Sequence, residues 1–417
     1  MRLLLLFCAF FSGFLLRAQP NTKKAVFIIL DGISADVMEK LNPPNLAAIA
    51  REGGYARASV GGEKEGYSQT PTISAVGYNS VLTGTWVNKH NVWDNNIKAP
   101  NYHYKNIFRL LKEQYPQKKI GLFSSWLDNR TKLIGEGLDA AGNIRFDYHF
   151  DGLEHDTINY PHDKERLYMH QIDEKVVDNA AQTIRQQAPD LSWVYLEYTD
   201  DMGHLFGDSP QFYQAVGYAD DQVGRIWQAI QYRKQQFNED WLIVVTTDHG
   251  RDAKTGKGHG GQSERERLGW IYTNAKDLNS YFKNNQASIV DVMPTIARFM
   301  NISLPEETAR EVDGVPLIGK ISLTQLIADY SNGKLQLRWK AHEKRGKVKI
   351  ELATTNQFKT GGRDTYQFIK EVPLSAGQAI INLSAEPSQF YKLVLHGPNN
   401  SVSRWIVNES TAESRVK

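Results

Sequence analysis

Short apolar runs alternate with amphipathic stretches along most of the chain. The runs have few polar positions, which is typical of strands buried on both faces of a parallel sheet. They cover residues 25–30, 119–123, 193–196, 241–245 and 269–272. Helical spacing of apolar residues predicts helices at 106–114, 173–187, 211–232 and 288–300. This order of elements predicts an α/β fold with a mostly parallel central sheet sandwiched by helices.

The pattern changes after about residue 320. We predict a short helix at residues 323–330, followed by a turn at Ser331, Asn332 and Gly333. Six short alternating segments then follow, separated by turn residues, and this spacing predicts a small β-sandwich. The chain is therefore expected to divide into an α/β domain at 19–320 and an accessory domain of immunoglobulin or fibronectin type at 321–417.

Residues 1–18 have the composition of a secretory signal peptide. Arg2 precedes an apolar run shorter than the roughly 20 residues of a membrane-spanning helix, and Ala18 is a small residue suited to cleavage. We expect an exported protein, periplasmic or secreted, without a stable membrane span after cleavage; a membrane anchor is the alternative. The only cysteine is Cys8, so the mature chain would offer neither thiolate ligands nor a cysteine nucleophile.

The overall charge gives little indication of a macromolecular partner. The 417 residues include 49 basic and 47 acidic side chains, for a net charge of +2. Binding to a nucleic-acid duplex is not expected, because it would need a basic excess. The sequence does not indicate an oligomeric state.

Acidic residues follow three of the five predicted strands. Asp31 follows the first, the neighbours Asp200 and Asp201 follow the third, and Asp248 follows the fourth. One such residue is often a helix cap, but the carboxyl ends of parallel strands meet at one edge of the sheet, where ligands bind. Three acids at that edge indicate a binding site.

Three histidines accompany these acids. His204 lies four residues after Asp200, so one helical turn would direct both side chains to the same ion. His249 follows Asp248 directly, and that pair could bind one ion or straddle two. His259 lies among glycines, which allow a close approach of the backbone. Imidazole and carboxylate ligands without thiolate suit zinc, manganese or iron.

Ser74 is the candidate nucleophile. It is predicted to begin a helix that ends at Thr83, and free N–H groups at a helix start favour an attacking alkoxide and an anionic ligand. A bound metal would lower the pKa of the hydroxyl. The alternative is that Ser74 only caps the helix, and Thr70 and Thr72 are rival hydroxyls.

Several motifs occur together in an order that resembles the alkaline phosphatase superfamily, particularly its nucleotide pyrophosphatase/phosphodiesterase-like branch. The resemblance covers residues 23–320. The motifs are Leu30-Asp31-Gly32, the helix at 44–53, the segment 74–84, Asp200-x-x-Gly203-His204-x-x-Gly207, Thr247-Asp248-His249-Gly250 and Gly258-His259-Gly260. The sulfatase pattern is absent, because Val76 and Tyr78 stand where that family has proline and arginine.

The resemblance implies two divalent metal ions, zinc in the first place, with manganese or iron as alternatives. One ion would be held by Asp31, Ser74, Asp248 and His249. The other would be held by Asp200, His204 and His259. The implied activity is hydrolysis of a small-molecule phosphate ester through a phosphoseryl intermediate on Ser74.

The class of ester is left open by position 77. In the phosphodiesterases that this chain resembles, an asparagine lies three residues after the nucleophile. This chain has Gly77 at that position. A phosphodiesterase is expected first, and a phosphomonoesterase on the same site is the alternative. A phosphate transferase and a catalytically degenerate binding or adhesion protein are further alternatives. Candidates for substrate contact are Trp86, Lys89, His90, Trp93, Trp126 and Asp128.

Overall fold

A computed structural model describes residues 22–383 and 388–407. Its largest sheet has eight strands in the order β4-β3-β5-β1-β6-β7-β2-β8. Their bounds are β1 Thr22–Leu30, β2 Gly54–Ser59, β3 Ile120–Ser124, β4 Tyr148–Phe150, β5 Leu191–Leu196, β6 Glu239–Thr246, β7 Leu268–Thr273 and β8 Ala287–Ser288. The predicted signal peptide at 1–18 lies outside the described residues.

Helices cover both faces of this sheet. They are α1 Ala35–Leu41, α2 Pro44–Glu52, α3 Ser74–Thr83, α4 Val87–His90, α5 Ile107–Gln114, α6 Leu167–Gln186, α7 Tyr198–Phe206, α8 Pro210–Gln236, α9 Ser280–Lys283, α10 Val292–Phe299 and α11 Glu306–Glu311. Successive side chains of a strand point to opposite faces. Accordingly, Phe27 and Ile29 of β1 pack with α3 and α5, whereas Val26 and Ile28 pack with α6 and α8.

The α/β fold class with a mostly parallel sheet is confirmed, and all five predicted strands are present. One direction differs from the expectation, because β7 runs antiparallel to both β6 and β2. A short apolar run carries no information about strand direction. The connection from β6 to β7 contains no helix, and it returns the chain in the opposite direction.

The C-terminal region forms two antiparallel sheets, as expected for the predicted β-sandwich. Their strands are β9 Leu323–Ser331, β10 Lys334–Ala341, β11 Lys347–Ala353, β12 Gln367–Pro373, β13 Gln378–Asn382, β14 Phe390–His396 and β15 Ser401–Val407. The sheet orders are β13-β10-β9 and β12-β11-β14-β15. The immunoglobulin or fibronectin type, and the domain limits 19–320 and 321–417, stay predictions.

The predicted helix at 323–330 is wrong, because this segment is strand β9. It pairs with β10 through a hairpin turn at Asn332 and Gly333, both with positive φ. Side-chain burial alternates along β9, with Leu326 buried and Ile327 exposed. None of the helices within residues 22–383 and 388–407 is long and apolar enough to cross a bilayer.

The C-terminal sheets share their core with the α/β region. One continuous apolar cluster includes Leu82 of α3, Val292 of α10 and Leu393 of β14. A buried ion cluster lies beside it, where Lys392 Nζ is 2.5 Å from Glu311 Oε1 and 2.8 Å from Asp364 Oδ2. All three side chains are at most 3% exposed, so the two carboxylates depend on this ammonium for charge compensation.

We expect Lys392→Met to lower the free energy of unfolding by about 3–5 kcal/mol, because it leaves two buried carboxylates without a cation. Urea denaturation measures this change. The control is Arg338→Met, which removes an ion pair with Asp329 whose side chains are 60% and 59% exposed; its cost should stay within about 1 kcal/mol. Equal effects of the two substitutions would contradict a stabilising role for the buried cluster.

Candidate active site

The seven residues predicted from the sequence converge at the carboxyl ends of three adjacent strands. Strands β5, β1 and β6 are neighbours and run parallel. Asp31 follows β1, Asp248 follows β6, and Asp200 lies in the first turn of α7, just after β5. The topology therefore brings the acids together as the sequence pattern predicts.

Asp31, Asp248 and His249 form the first group. One potential ligand atom from each lies within 4.8 Å of the others. His249 Nε2 is 3.4 Å from Asp31 Oδ1 and 3.3 Å from Asp248 Oδ2. Both of these carboxylate oxygens are buried without a hydrogen-bond partner. Unpaired buried carboxylate oxygens are costly, so this donor set fits a cation.

The second group contains Asp200, His259 and His204. His204 Nε2 is 3.1 Å from Asp200 Oδ2 and 3.0 Å from His259 Nε2. Helix α7 places Asp200 and His204 one turn apart on the same face, as the spacing predicts. His249 lies close to this group too, since its ring stacks on that of His259 at 3.8 Å. Asp201 turns away and lies 3.7 Å from Arg166.

The tautomers of two histidines are set by backbone carbonyls. His249 Nδ1 lies 3.0 Å from the Gly250 carbonyl oxygen, and His259 Nδ1 lies 2.9 Å from that of Thr72. A carbonyl oxygen only accepts, so each Nδ1 carries the hydrogen and each Nε2 presents its lone pair to the cluster. Burial also lowers the pKa of His249 well below its usual value, which keeps the ring neutral.

Ser74 is the first residue of α3, and its side chain does not cap the helix. The cap position is Ile73, and the Ser74 hydroxyl lies 3.4 Å from His249 Nε2. The alternative that Ser74 is merely a cap is therefore wrong. The rival hydroxyls donate to carbonyl oxygens instead, Thr70 to Ser68 and Thr72 to Gly261.

Close packing against Asp248 explains the glycine at position 77. A Cβ atom at this position would lie 2.6 Å from the Asp248 carbonyl oxygen and 2.8 Å from Asp248 Cβ, so an asparagine side chain has no room there. An asparagine nevertheless lies beside Ser74. Asn95 Oδ1 accepts a hydrogen bond from the Ala75 N–H at 3.0 Å, and Asn95 lines the cavity in front of Ser74. Asn95, rather than residue 77, is thus the asparagine next to the candidate nucleophile.

Two buried tyrosines complete the surroundings of Asp31. The hydroxyls of Tyr78 and Tyr195 both donate to Asp31 Oδ2, Tyr195 at 2.8 Å. Burial raises the pKa of Asp31 to about 7, with a contribution from Asp200, while the tyrosine hydrogen bonds oppose the rise. Tyr78 follows Ser74 by four residues, so helical spacing could have identified it from the sequence.

Arg251 is a further residue that the sequence did not indicate. Its guanidinium is completely buried and pairs with the Asp200 carboxylate. Burial raises the pKa of Asp200, but the charge of Arg251 and the hydrogen bond from His204 outweigh it, and the pKa ends below its usual value. Asp200 is thus held as an anion beside two histidines.

A cavity of about 430 Å³ opens in front of Ser74. Of the residues predicted to contact substrate, Trp126 lines it. Trp86 and His90 are buried elsewhere, and Lys89 pairs with Asp313 at 2.6 Å. The other two predicted residues lie outside the cavity lining: Trp93 is half exposed, and Asp128 pairs with Lys132.

Comparisons with known proteins agree with this arrangement. A family model described as type I phosphodiesterase/nucleotide pyrophosphatase matches residues 25–265. Human ectonucleotide pyrophosphatase/phosphodiesterase family member 7 is 23% identical over 260 residues, which cover 57% of this chain and 50% of that protein. The chain therefore spans about half the length of this curated relative.

Solved structures show likeness of fold. A putative sulfatase from Bacteroides thetaiotaomicron has a TM-score of 0.51 at 10% identity, covering 88% of this chain and 86% of that chain. Human ectonucleotide pyrophosphatase/phosphodiesterase 5 has a TM-score of 0.48 at 14% identity, covering 68% of this chain and 96% of that chain. By the family model that matches more than half of its length, this chain belongs to the type I phosphodiesterase/nucleotide pyrophosphatase family of the alkaline phosphatase superfamily.

Proposed function

We propose that this protein is an exported, two-metal phosphodiesterase that acts through a phosphoseryl intermediate on Ser74. The observation that carries the proposal is the position of the Ser74 hydroxyl. It faces His249 Nε2 at 3.4 Å, where two groups of acids and histidines meet around buried, unpaired carboxylate oxygens.

The residues present fit a pair of divalent ions. Asp31, Ser74, Asp248 and His249 would hold one, and Asp200, His204 and His259 would hold the other. Nitrogen and oxygen donors without thiolate favour zinc, with manganese or iron as alternatives. When bound, such ions lower the pKa of a coordinated hydroxyl and neutralise charge on phosphate oxygens.

In the first half of the reaction, Ser74 Oγ loses its proton to solvent and forms a bond to phosphorus, while the bond from phosphorus to one ester oxygen breaks and that oxygen takes up a proton from solvent and leaves as the alcohol. In the second half, a water oxygen bonds to phosphorus and Ser74 Oγ leaves with a proton. In this mechanism the N-terminus of α3 and the Asn95 amide nitrogen would stabilise the phosphate oxygens, since Asn95 lines the cavity beside Ser74. Preorganised donors of this kind supply much of the catalytic effect.

A diester is favoured over a monoester by the walls of the cavity. Trp126, Tyr168 and Met169 offer apolar and aromatic surface beside Ser74 for a second organic group. No lysine or arginine is among the residues that line this cavity, so the lining offers no cationic side chain to the extra charge of a monoester dianion. Both features support a phosphodiesterase.

The purified protein should hydrolyse bis(4-nitrophenyl) phosphate faster than 4-nitrophenyl phosphate, and a chelator should abolish both activities. Release of nitrophenolate measures them, and Zn²⁺ or Mn²⁺ added after removal of the chelator should restore turnover. A preference for the monoester would overturn the diester assignment. Full activity after exhaustive chelation would exclude the metal-dependent mechanism.

Ser74→Ala should lose at least about 10³-fold in kcat, since the nucleophile is removed while oxygen and nitrogen donors remain. Metal binding, measured by calorimetry, and the unfolding temperature should stay close to wild type. Thr70→Val is the control, because it removes a nearby hydroxyl that binds the Ser68 carbonyl. A phosphorylated Ser74 peptide should be found by mass spectrometry after acid quenching. Normal turnover by Ser74→Ala would refute the assignment.

Asn95→Asp should lower kcat by about 10²–10³-fold, because it replaces the amide donor by a carboxylate oxygen that repels phosphate. The substitution keeps an oxygen that can accept from the Ala75 N–H. Asn95→Ala removes both the amide nitrogen and the oxygen. It should lower kcat less than Asn95→Asp does if repulsion between the carboxylate and the phosphate contributes. Steady-state kinetics with bis(4-nitrophenyl) phosphate separates kcat from KM, and an effect confined to KM would contradict this role.

A further inference from the structure

We propose that Arg251 weakens one of the two metal sites, so that the ion held there is exchangeable while the other ion is retained. The weakened site is the one formed by Asp200, His204 and His259. The proposal rests on the two-metal function above and concerns the regulation of the same site. Its basis is the unequal charge of the two groups of candidate ligands.

Arg251 occupies one oxygen of a candidate ligand. Its guanidinium donates from Nη2 to Asp200 Oδ1. The oxygen without this contact is Oδ2, which lies 3.1 Å from His204 Nε2. Among residues 22–383 and 388–407, Arg251 forms no ion pair with any acid other than Asp200. The negative charge that Asp200 could offer to a metal ion is therefore already compensated by the protein itself.

The guanidinium cannot turn away from Asp200 without losing other hydrogen bonds. It is completely buried and donates to the backbone carbonyl oxygens of Gly32, Asp200 and Lys257 at 2.8, 2.8 and 3.0 Å. Its Cζ lies 5.7 Å from the centre of the Phe212 ring. A buried charge separated from its counter-ion is strongly unfavourable. We therefore expect Arg251 to keep its contact with Asp200 when a metal ion binds.

The other group of ligands has no such cation in contact with it. Asp31 and Asp248 lie beside His249, and neither carboxylate pairs with a lysine or arginine in the described part of the chain. Their hydrogen-bond donors are neutral hydroxyl and backbone N–H groups. A ligating imidazole is neutral. This group thus offers two negative charges to an ion, whereas the group with Asp200 offers one that Arg251 cancels.

This difference in charge predicts that the two sites fill in sequence, because the attraction of a divalent cation grows with the negative charge of its ligands. The group with Asp31 and Asp248 should fill first, and the group with Asp200 should fill at a higher concentration of free metal. Ser74 lies 3.4 Å from His249 Nε2, in the group that fills first. Full activity would then follow the concentration of free metal at the exchangeable site.

Calorimetric titration of the metal-free wild-type protein with Zn²⁺ tests this order. We expect two classes of site whose dissociation constants differ by at least about tenfold. Asp248→Asn should weaken the tighter class and His204→Ala the looser class, which assigns each class to its group of ligands. Sites of equal affinity, or the opposite assignment, would overturn the proposal. Binding of fewer than two ions by the wild-type protein would instead overturn the two-metal function.

A pair of substitutions at Arg251 separates its charge from its packing. Both Arg251→Met and Arg251→Lys remove the planar fork that binds three carbonyl oxygens, but only Arg251→Met removes the positive charge. Arg251→Met should tighten the looser class about 10–100-fold, and Arg251→Lys should leave it weak. Equal effects of the two substitutions on zinc affinity would overturn the role of the charge.

Arg166→Met is the matched control for these titrations. It removes a guanidinium that lies 3.7 Å from Asp201, which is not a candidate ligand, and it should change neither dissociation constant. Circular dichroism and the unfolding temperature show whether each variant is folded. If neither variant of Arg251 folds, the two classes of the wild-type protein and their assignment by Asp248→Asn and His204→Ala decide the proposal.

Discussion

The arrangement of the site depends on one buried guanidinium. Arg251 donates to the carbonyl oxygens of Gly32, Asp200 and Lys257, at 2.8, 2.8 and 3.0 Å. These carbonyls belong to the three separate segments that carry Asp31, Asp200 and His259. A buried charge is tolerated when it is paired and hydrogen-bonded, and here the Asp200 carboxylate is its counter-ion. Arg251 therefore fixes the spacing of three candidate ligand segments at once.

The close approach of Arg251 explains two glycines of the motifs. A Cβ atom at Gly203 would lie 2.1 Å from Arg251 Cζ, and one at Gly32 would lie 2.8 Å from Arg251 Nη2 and 2.5 Å from Asp200 Oδ1. Gly32 also has a φ of +67°, which other residues adopt only with strain. Gly77 is constrained in the same way, because a Cβ atom there would lie 2.6 Å from the Asp248 carbonyl oxygen. These glycines are therefore required by packing around the candidate ligands.

The sequence predicts that the candidate ligands lie close together, because their placement follows from local rules. A parallel strand determines where its last residue lies, and helical spacing aligns Asp200 with His204. The direction of β7 was not predictable in this way, because an apolar run has no direction. The strand at Leu323–Ser331 was not predictable either, because the apolar positions of residues 323–330 are compatible with the period of a helix and with that of a strand. Arg251 and Asn95 were missed because their roles come from contacts that only the folded chain creates.

The C-terminal sheets support the segment that carries the nucleophile. Arg404 pairs with Glu63 at 2.8 Å, and Trp405 stacks on Tyr67, both shortly before Ser74 in the chain. On the other side of Asn95, the Asn101 amide donates to the Lys359 carbonyl at 2.8 Å. Because β15 and the Lys359 turn contact both flanks of the segment with Ser74 and Asn95, their packing helps to hold the nucleophile and the amide donor in register. These contacts favour the interpretation that the C-terminal sheets support the segment with the nucleophile, rather than serve as an appended adhesion module.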